Sequence, residues 1–484
     1  MAKILLLNPT YRGRADQKSI PHGLLAVGSV LRNNGHQIRL IDFHLEGDSP
    51  ETAFKKIAAT SFDIVGISGI STSYYFWKAF VRIFRERLGR TIPIMAGGSV
   101  AATMPVTFLD NVPVDAVCTG DGEPTVNALV DALLQGTPLD TVQGIAFKRD
   151  AEVIVRPGLH VVDMDAEVPL PAYDLIDMPR YRWKSWDQDK EILEIVMFSS
   201  RGCPYACFFC SRNFGRRFTQ HTVGSVIAHI RHVVSRFRPE RLCFSDELFT
   251  FDRKWVLDFL SQFKALDLGV PFRINSRVNT VDREILQALK DANCSDIGFG
   301  IESGSDVILK EMNKKVSAAQ NLAALKTSKA VGLNATSTIV LGMPSETDQT
   351  IDETRRFLIE ADTRIFGCFF ATAYPGSDLF DYAIAKGYIQ DVDSYMQHVD
   401  NADNLVVNYT RFTDEELKSK MIWLKRDVAY AWHRKRGWAS VIRYRLRPLF
   451  TAAAILRNDG PWVLASEIKA YLNRLRYHFG KAGA

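Results

Sequence analysis

Arg201-Gly202-Cys203-Pro204-Tyr205-Ala206-Cys207-Phe208-Phe209-Cys210 is the stretch from which the rest of the chain can be read. It follows an apolar run, Leu193–Ser199, with the composition of a buried strand. Three thiols on one short loop supply three of the four cysteine ligands that a cubane iron–sulfur cluster takes. The fourth iron is left for a ligand from outside the loop. A structural zinc site wants four closed ligands, commonly as two separated pairs. Here the next cysteine is Cys243 and the nearest histidine is His221. The spacing therefore reads as a metal centre with one open corner, where a substrate or cofactor binds.

Outward from the loop, strand runs at Leu193–Ser199, Arg241–Ser245, Phe272–Arg277, Asp296–Ile301, Asn334–Leu341 and Arg364–Ala371 alternate with helices opening near Val223, Arg253, Val281, Ser305 and Thr347. Six strand–helix units across 191–405 predict a partial (β/α)6 barrel. The cysteine loop then lies at the carboxyl-terminal face, where parallel barrels keep their active sites. Upstream, Lys3–Asn8, Gln37–Asp42, Asp63–Ser68, Ile92–Ala96, Asp115–Cys118 and Val142–Lys148 alternate with helices such as Pro21–Asn34, which stops at Gly35. Residues 1–150 thus predict an α/β, doubly wound parallel sheet of Rossmann-like type. Pro157, Pro169, Pro171 and Pro179 mark 151–190 as a connecting segment. Residues 406–484 form a helical, basic extension. It opens on a capping box from Thr413 to Glu416, with Leu417, Met421, Leu424, Val428 and Ala431 at helical spacing before Gly437. Aromatic and basic residues follow, among them Trp438, Arg443, Tyr444, Arg445, Arg447, Trp462, Tyr471, Arg474 and Arg476.

The formal charge of +5 over 484 residues hides an asymmetry. From Arg411 onward sixteen Lys and Arg face six Asp and Glu, whereas the preceding residues carry 44 against 49. The basic end is open to three readings: a packed cap with a solvated face, contact with an anionic membrane surface, or nucleic-acid binding. Hydrophobic content of 46% and charged content of 24% are those of an ordinary globular protein. Neither a signal peptide nor an apolar run long enough to span a bilayer stands out. Seven cysteines, an odd number, are too few for a disulfide scaffold and read as reduced thiols of a cytoplasmic protein.

CxxxCxxC with Phe209 before the last cysteine resembles the signature loop of the radical S-adenosylmethionine (SAM) enzymes. The resemblance implies that Cys203, Cys207 and Cys210 hold a [4Fe–4S] cluster. Its unique iron would be chelated by the amino and carboxylate groups of SAM, with Phe209 near the adenine. One electron then releases a 5′-deoxyadenosyl radical, chemistry that belongs to the cofactor. Later segments agree in order. Phe244-Ser-Asp-Glu-Leu-Phe249 offers Asp246 or Glu247 to the methionyl ammonium. Arg273, Asn275 and Arg277 alternate along one strand and should share a face; an inward guanidinium, Arg277, would take the cofactor carboxylate. Gly298-Phe-Gly-Ile-Glu-Ser303 offers Glu302 to the ribose or methionyl end, and Leu341-Gly-Met-Pro-Ser-Glu346 places Gly342 beside the adenine.

The amino-terminal part, with Pro21-His-Gly-Leu-Leu25, Gly35-His36, Gly97-Gly98 and Gly120-Asp-Gly-Glu123, resembles the cobalamin-binding domain fused to many radical enzymes. Its strand ends, Asn8, Ser68, Ser71, Thr72, Gly97, Gly98, Gly120, Gly122 and Glu123, would seat the corrin. Asp42-Phe-His44-Leu-Glu-Gly47 spells the DxHxxG motif of cobalamin-dependent mutases, but it follows the second strand rather than the first. Cobalamin with its base detached and no histidine beneath is therefore the expectation. A flavodoxin-like module without a cofactor is the plain structural alternative. With only Cys118 in the first part and no cysteine after Cys368, one cluster is expected, and Cys118, Cys243, Cys294 and Cys368 read as core thiols.

The resemblance implies a radical SAM enzyme using cobalamin to methylate an unactivated carbon of a small-molecule or lipid-like substrate. A reductant such as flavodoxin or ferredoxin would be its partner, with peripheral membrane contact through the basic extension and no nucleic acid. The alternatives are an anaerobic oxidative cyclase of tetrapyrrole type with the same cofactors and, from another class, an iron–sulfur or zinc nucleic-acid-binding module.

Overall fold

The computed structural model describes residues 1–13, 18–89, 91–158, 161–184, 190–211, 215–442 and 444–446. Seven strands form the first sheet: β1 (Lys3–Asn8), β2 (Gln37–Asp42), β3 (Ile64–Ser68), β4 (Ile94–Gly97), β5 (Ala116–Cys118), β6 (Ile145–Arg149) and β7 (Glu152–Arg156). Their spatial order is β2-β1-β3-β4-β5-β6-β7, and the first five run parallel. Alternate side chains of a strand point to opposite faces. Ile4 and Leu6 accordingly pack with Leu24, Leu31 and Leu129 from the helices His22–Asn33 and Val126–Gln135. Leu5 and Leu7 pack on the other face with Phe54, Phe80 and Phe84 from Pro50–Ile57 and Tyr74–Leu88. Both faces of the central strands are covered, so β1 reads as an almost unbroken apolar run.

The edge of this sheet differs from the sequence expectation. β6 runs antiparallel to β5, and β7, in the stretch assigned to the connecting segment, pairs antiparallel with β6. Two residues, Asp150 and Ala151, join β6 to β7, and Asp150 takes φ 53°. A two-residue link can only make a hairpin, because parallel neighbours need a long crossover.

The second sheet is wholly parallel and follows chain order: β8 (Glu194–Met197), β9 (Arg241–Phe244), β10 (Phe272–Ser276), β11 (Cys294–Glu302), β12 (Asn334–Leu341) and β13 (Arg364–Phe370). This is the partial barrel expected. Thr222, Asp252, Asp282 and Thr347 cap the helices after β8, β9, β10 and β12 by accepting from backbone N–H groups three residues on. Between β11 and β12 the helix near Ser305 is only Asp306–Glu311; the crossover is made by Ala318–Ala330 behind its own capping box, Ser317 with Gln320. Cys118, Cys243, Cys294 and Cys368 are all buried.

The helix Asp414–Lys435 begins at the Thr413–Glu416 capping box and buries Leu417, Met421, Leu424 and Val428 in the barrel core. Lys420 of the helix pairs with Asp348, Arg436 just past its end meets Asp362 at 3.0 Å, and Arg355 of the barrel meets its Asp427 at 3.0 Å. This stretch is a packed cap. Trp438 beyond it is exposed; the Arg443 side chain and the region holding Arg447, Trp462, Tyr471, Arg474 and Arg476 lie outside the described residues.

Inside the barrel, Glu194 receives two bonds from Arg273, at 2.9 and 2.8 Å, and one from Arg241 Nε. The Glu194 and Arg241 side chains are 1% and 0% exposed, so neither group is screened by water. Removing one member of such a cluster leaves uncompensated buried charge, at a cost of roughly 3–5 kcal/mol. Glu194→Ala is therefore expected to lower the guanidinium denaturation midpoint markedly, whereas an exposed-pair control, Lys326→Ala, leaves it nearly unchanged; equal midpoints would refute the charge accounting.

Candidate active site

The cysteine loop leaves the barrel through a two-stranded ribbon, Ser200–Arg201 with Thr219–Gln220. Asp246, just past β9, fixes its root. Its Oδ1 accepts from Ser199 N at 2.8 Å, Ser199 Oγ at 3.1 Å, Ser200 Oγ at 2.7 Å and Ser200 N. Its Oδ2 is buried with no hydrogen-bond partner. Burial raises the Asp246 carboxyl to about 6, held down from a larger shift by those donors. Beside it Glu247 faces open space, and the surrounding protein with the Asp246 charge raises its carboxyl to about 7.

The tip of the loop is tied to the far side of the barrel. Phe208 N donates to Met312 O at 2.9 Å, Leu379 N donates to Phe208 O at 2.8 Å, and Asn313 Nδ2 donates to Ala206 O at 2.7 Å. Phe208 and Phe209 pack against the apolar cluster that holds Ile308, Met312 and Leu379. Cys203 is half-buried, Cys207 buried and Cys210 exposed. The protein packed around the loop raises the Cys203 and Cys210 thiols, Cys210 to about 12 even though its side chain reaches the surface, with neighbouring Cys207 adding to both. These groups ionise readily only against a cation. Among the described residues no three His, Cys, Asp or Glu side chains converge on one point as ligands of a single ion. A cluster does not need such convergence, because its thiolates bind separate irons.

Arg277 does not stand free in the lumen. Its Nη1 donates to Cys207 Sγ at 3.2 Å, its Nη2 donates to Lys314 O, and its guanidinium lies 3.8 Å from the Tyr205 ring centroid. Arg273 and Asn275 alternate with the buried Phe272 and Ile274 on β10, and Arg277 follows one residue past the end of that strand with its backbone still extended, φ −102° and ψ 148°. Arg273 itself is committed to Glu194. Glu302 ends β11 with φ 63° and pairs with the buried Lys314 at 2.9 Å. A Cβ on Gly300 would lie 2.5 Å from Glu302 Oε1 and 2.9 Å from Lys314 Nζ, so a larger residue there would have to displace the ends of both side chains. Gly342, after β12, donates its N–H to Glu346 at 3.3 Å. Burial raises the Glu346 carboxyl to about 7.

A cavity of about 1000 Å³ separates the two sheets. Its floor is the strand ends of the first sheet: Asn8, Ser68, Gly97, Gly98, Gly120, Gly122 and Glu123 all line it. Gly98 has φ 77°, and a Cβ there would lie 2.5 Å from Gly69 O, so two backbone segments touch as only glycine permits. A Cβ on Gly120 would meet no protein atom within 4 Å, which leaves room for a ligand to reach the backbone. Ser71 and Thr72 are not in the lining; both are buried in the turn Ser71–Ser73, where Arg12 N donates to Thr72 O at 3.2 Å. His44 is buried under Tyr11, ring centroids 4.8 Å apart, and also lies outside the lining.

The opposite wall comes from the barrel, including Val196, Ser245 and Arg273, and from the helix Val223–Phe237. Four histidines also line the space: His22, His221, His229 and His232. His22 Nε2 is buried without a partner, and burial lowers its ring to about 4. Tyr173 OH lies 2.9 Å from His229 Nε2. These residues come from three separated segments, and nothing local in the sequence marks them. Arg201 was also missed, although it stands two places before Cys203. Its guanidinium bonds Asp121 Oδ1 at 2.6 Å and Glu123 at 2.6 and 3.1 Å.

Comparison with known proteins agrees with this geometry. The family model of the radical SAM superfamily matches residues 197–358, and that of the B12 binding domain matches residues 10–130. An uncharacterised methyltransferase of Pyrococcus horikoshii is 32% identical over 371 residues, covering 76% of this chain and 79% of its own. The chain belongs to the B12-binding radical SAM family. The anaerobic magnesium-protoporphyrin IX monomethyl ester cyclase of Rubrivivax gelatinosus is 24% identical over 85% of this chain and 77% of its own. The radical SAM methyltransferase TsrM of Kitasatospora setae shares the fold, with a TM-score of 0.64 at 16% identity, over 79% of this chain and 76% of that one.

For a B12-binding radical SAM protein the residues present fit the three cofactors. Three thiols on one loop suit a cluster, the orphaned Asp246 Oδ2 suits an ammonium, and the open backbone at Gly120 with His22 Nε2 suits the amide-rimmed corrin. Asp246→Ala would strand the buried N–H groups of Ser199 and Ser200, each worth about 1–3 kcal/mol when unpaired. Iron content after anaerobic reconstitution is expected to fall well below wild type in Asp246→Ala and to be largely kept in Asp246→Asn. Full loading in the alanine variant would contradict the anchoring role.

Proposed function

We infer that this chain is a cobalamin-dependent radical SAM methyltransferase that adds a methyl group to an unactivated carbon of a small molecule. The observation that carries the reading is the single cavity walled on one side by the B12-domain strand ends and on the other by the barrel. When bound, the cluster with SAM supplies a hydrogen-abstracting radical and cobalamin supplies the methyl group. Cys203, Cys207 and Cys210 hold the cluster, and the adjacent Arg277 guanidinium offsets thiolate charge through its bond to Cys207. Asp246 and Glu247 accept from the methionyl ammonium, charge-assisted once Asp246 is ionised above about pH 6. Glu302, fixed by Lys314, and Gly342 border the nucleoside beside Phe209. Asn8, Ser68, Gly97, Gly98, Gly120, Gly122 and Glu123 floor the corrin seat; burial of Ser71 and Thr72 argues for an indirect role in shaping it.

A one-electron donor such as flavodoxin or ferredoxin is the partner this chemistry requires. Exposed Trp438, Ile442 and Leu446, spaced four apart, support peripheral membrane contact or a lipid-like substrate. The cyclase relative favours a second reading, a non-methylating oxidative cyclisation with the same cofactors.

Product analysis separates the two. Anaerobically reconstituted protein with dithionite, SAM, cobalamin and substrate is expected to form 5′-deoxyadenosine and S-adenosylhomocysteine together, and Cys207→Ala to form neither. Deoxyadenosine without S-adenosylhomocysteine would assign the cyclase; neither product from the wild type would end the radical reading.

A further inference from the structure

Arg201 occupies a position that the cofactor assignments leave unused. It lies in the ribbon that roots the cysteine loop, followed only by Gly202 before Cys203. Its neighbour Ser200 is held by Asp246 of the barrel. Arg201 itself turns the other way, into the B12 domain, where Asp121 and Glu123 take both ends of its guanidinium. The three side chains are 13%, 24% and 4% exposed. A guanidinium bonded through both nitrogens to carboxylates has a fixed orientation as well as a charge.

The acceptors stand on the loop that ends β5. Gly120, Asp121, Gly122, Glu123 and Arg201 all line the cavity between the sheets. Gly122 O, within that loop, accepts from Val126 N at 2.8 Å, so the loop is also tied to the helix Val126–Gln135. Another ion pair between the two sheets' domains, Lys78 with Asp393 at 2.6 Å, involves neither the cysteine loop nor the cavity lining. The Arg201 cluster thus links a segment of the corrin seat directly to the root of the cluster loop. A ligand seated against Gly120–Glu123 excludes water from the cluster, and lower local dielectric strengthens charge pairs.

Resting on the function inferred above, we propose that the Arg201–Asp121–Glu123 ion cluster couples the two cofactor sites, so that cobalamin and SAM each tighten the binding of the other. Arg201 is a positioning residue; it transmits occupancy and touches no reacting atom. Linkage requires the coupling to be reciprocal: the factor by which cobalamin tightens SAM equals the factor by which SAM tightens cobalamin.

The test uses the full chain with its cluster reconstituted anaerobically. SAM affinity is measured by equilibrium dialysis with and without hydroxocobalamin, and hydroxocobalamin affinity by absorbance with and without SAM. The wild type is expected to show one mutual factor of about fivefold or more. In Arg201→Met this ratio falls to one, whatever happens to the individual constants, and Arg201→Lys recovers part of it. Should Arg201→Met fail to load its cluster, Asp121→Asn/Glu123→Gln keeps the arginine and must also bring the ratio to one. A wild type that binds both cofactors with a ratio of one overturns the coupling alone, as does an unchanged ratio in the variants. A wild type that binds neither cofactor overturns the inferred function together with the coupling.

Discussion

A parallel strand cannot hairpin back to its neighbour; each must be followed by a crossover that returns the chain to the starting edge. All carboxyl-terminal loops therefore collect on one edge of a parallel sheet, and this chain contains two such sheets. In the first, the collected loops are small and glycine-rich, closing a floor at Gly97–Gly98 and Gly120–Gly122. In the second they carry charged groups and thiols: the cysteine loop after β8, Asp246 after β9, Arg277 after β10 and Glu302 at the end of β11. Chemistry gathers there because side chains far apart in sequence are delivered to one place by a repeating backbone rule.

What the topology gathers, electrostatics holds in register. The buried acids are matched by cations or by several N–H and O–H donors: Glu194 with two arginines, Glu302 with Lys314, Glu123 with Arg201, and Asp246 with two serines. Unpaired, each would carry a desolvation cost of several kcal/mol. Among the buried side-chain atoms left without a partner are Asp246 Oδ2, at the root of the cysteine loop, and His22 Nε2, in the cavity lining.

Much of this was legible in the chain itself. β1, β2 and β12 have the bounds expected from their runs; β1 is buried almost throughout, while the edge strand β2 is bounded by Gly35-His36 before it and Asp42 at its end. The cysteine loop needed no structure, since its three ligands are contiguous. Other features were hidden for physical reasons. The link at Asp150–Ala151 contains no glycine, so the hairpin to β7 had no turn signature. Ala318–Ala330 carries too little contrast between its faces to stand out as amphipathic. That the Arg277 guanidinium is taken by Cys207 and Lys314, from segments far along the chain, could not be read from strand alternation. Arg201 with Glu123, and His22 with Tyr173 and His229, meet across long stretches of chain that local patterns cannot span.

The account turns on an iron that no side chain of the protein holds. Mössbauer spectra of the full chain, reconstituted anoxically with iron-57 and recorded before and after adding SAM, address that point directly. One iron of the four should change its parameters toward higher coordination while the other three stay constant. Four irons that remain indistinguishable after SAM is added would contradict the open corner and, with it, the radical chemistry built upon it.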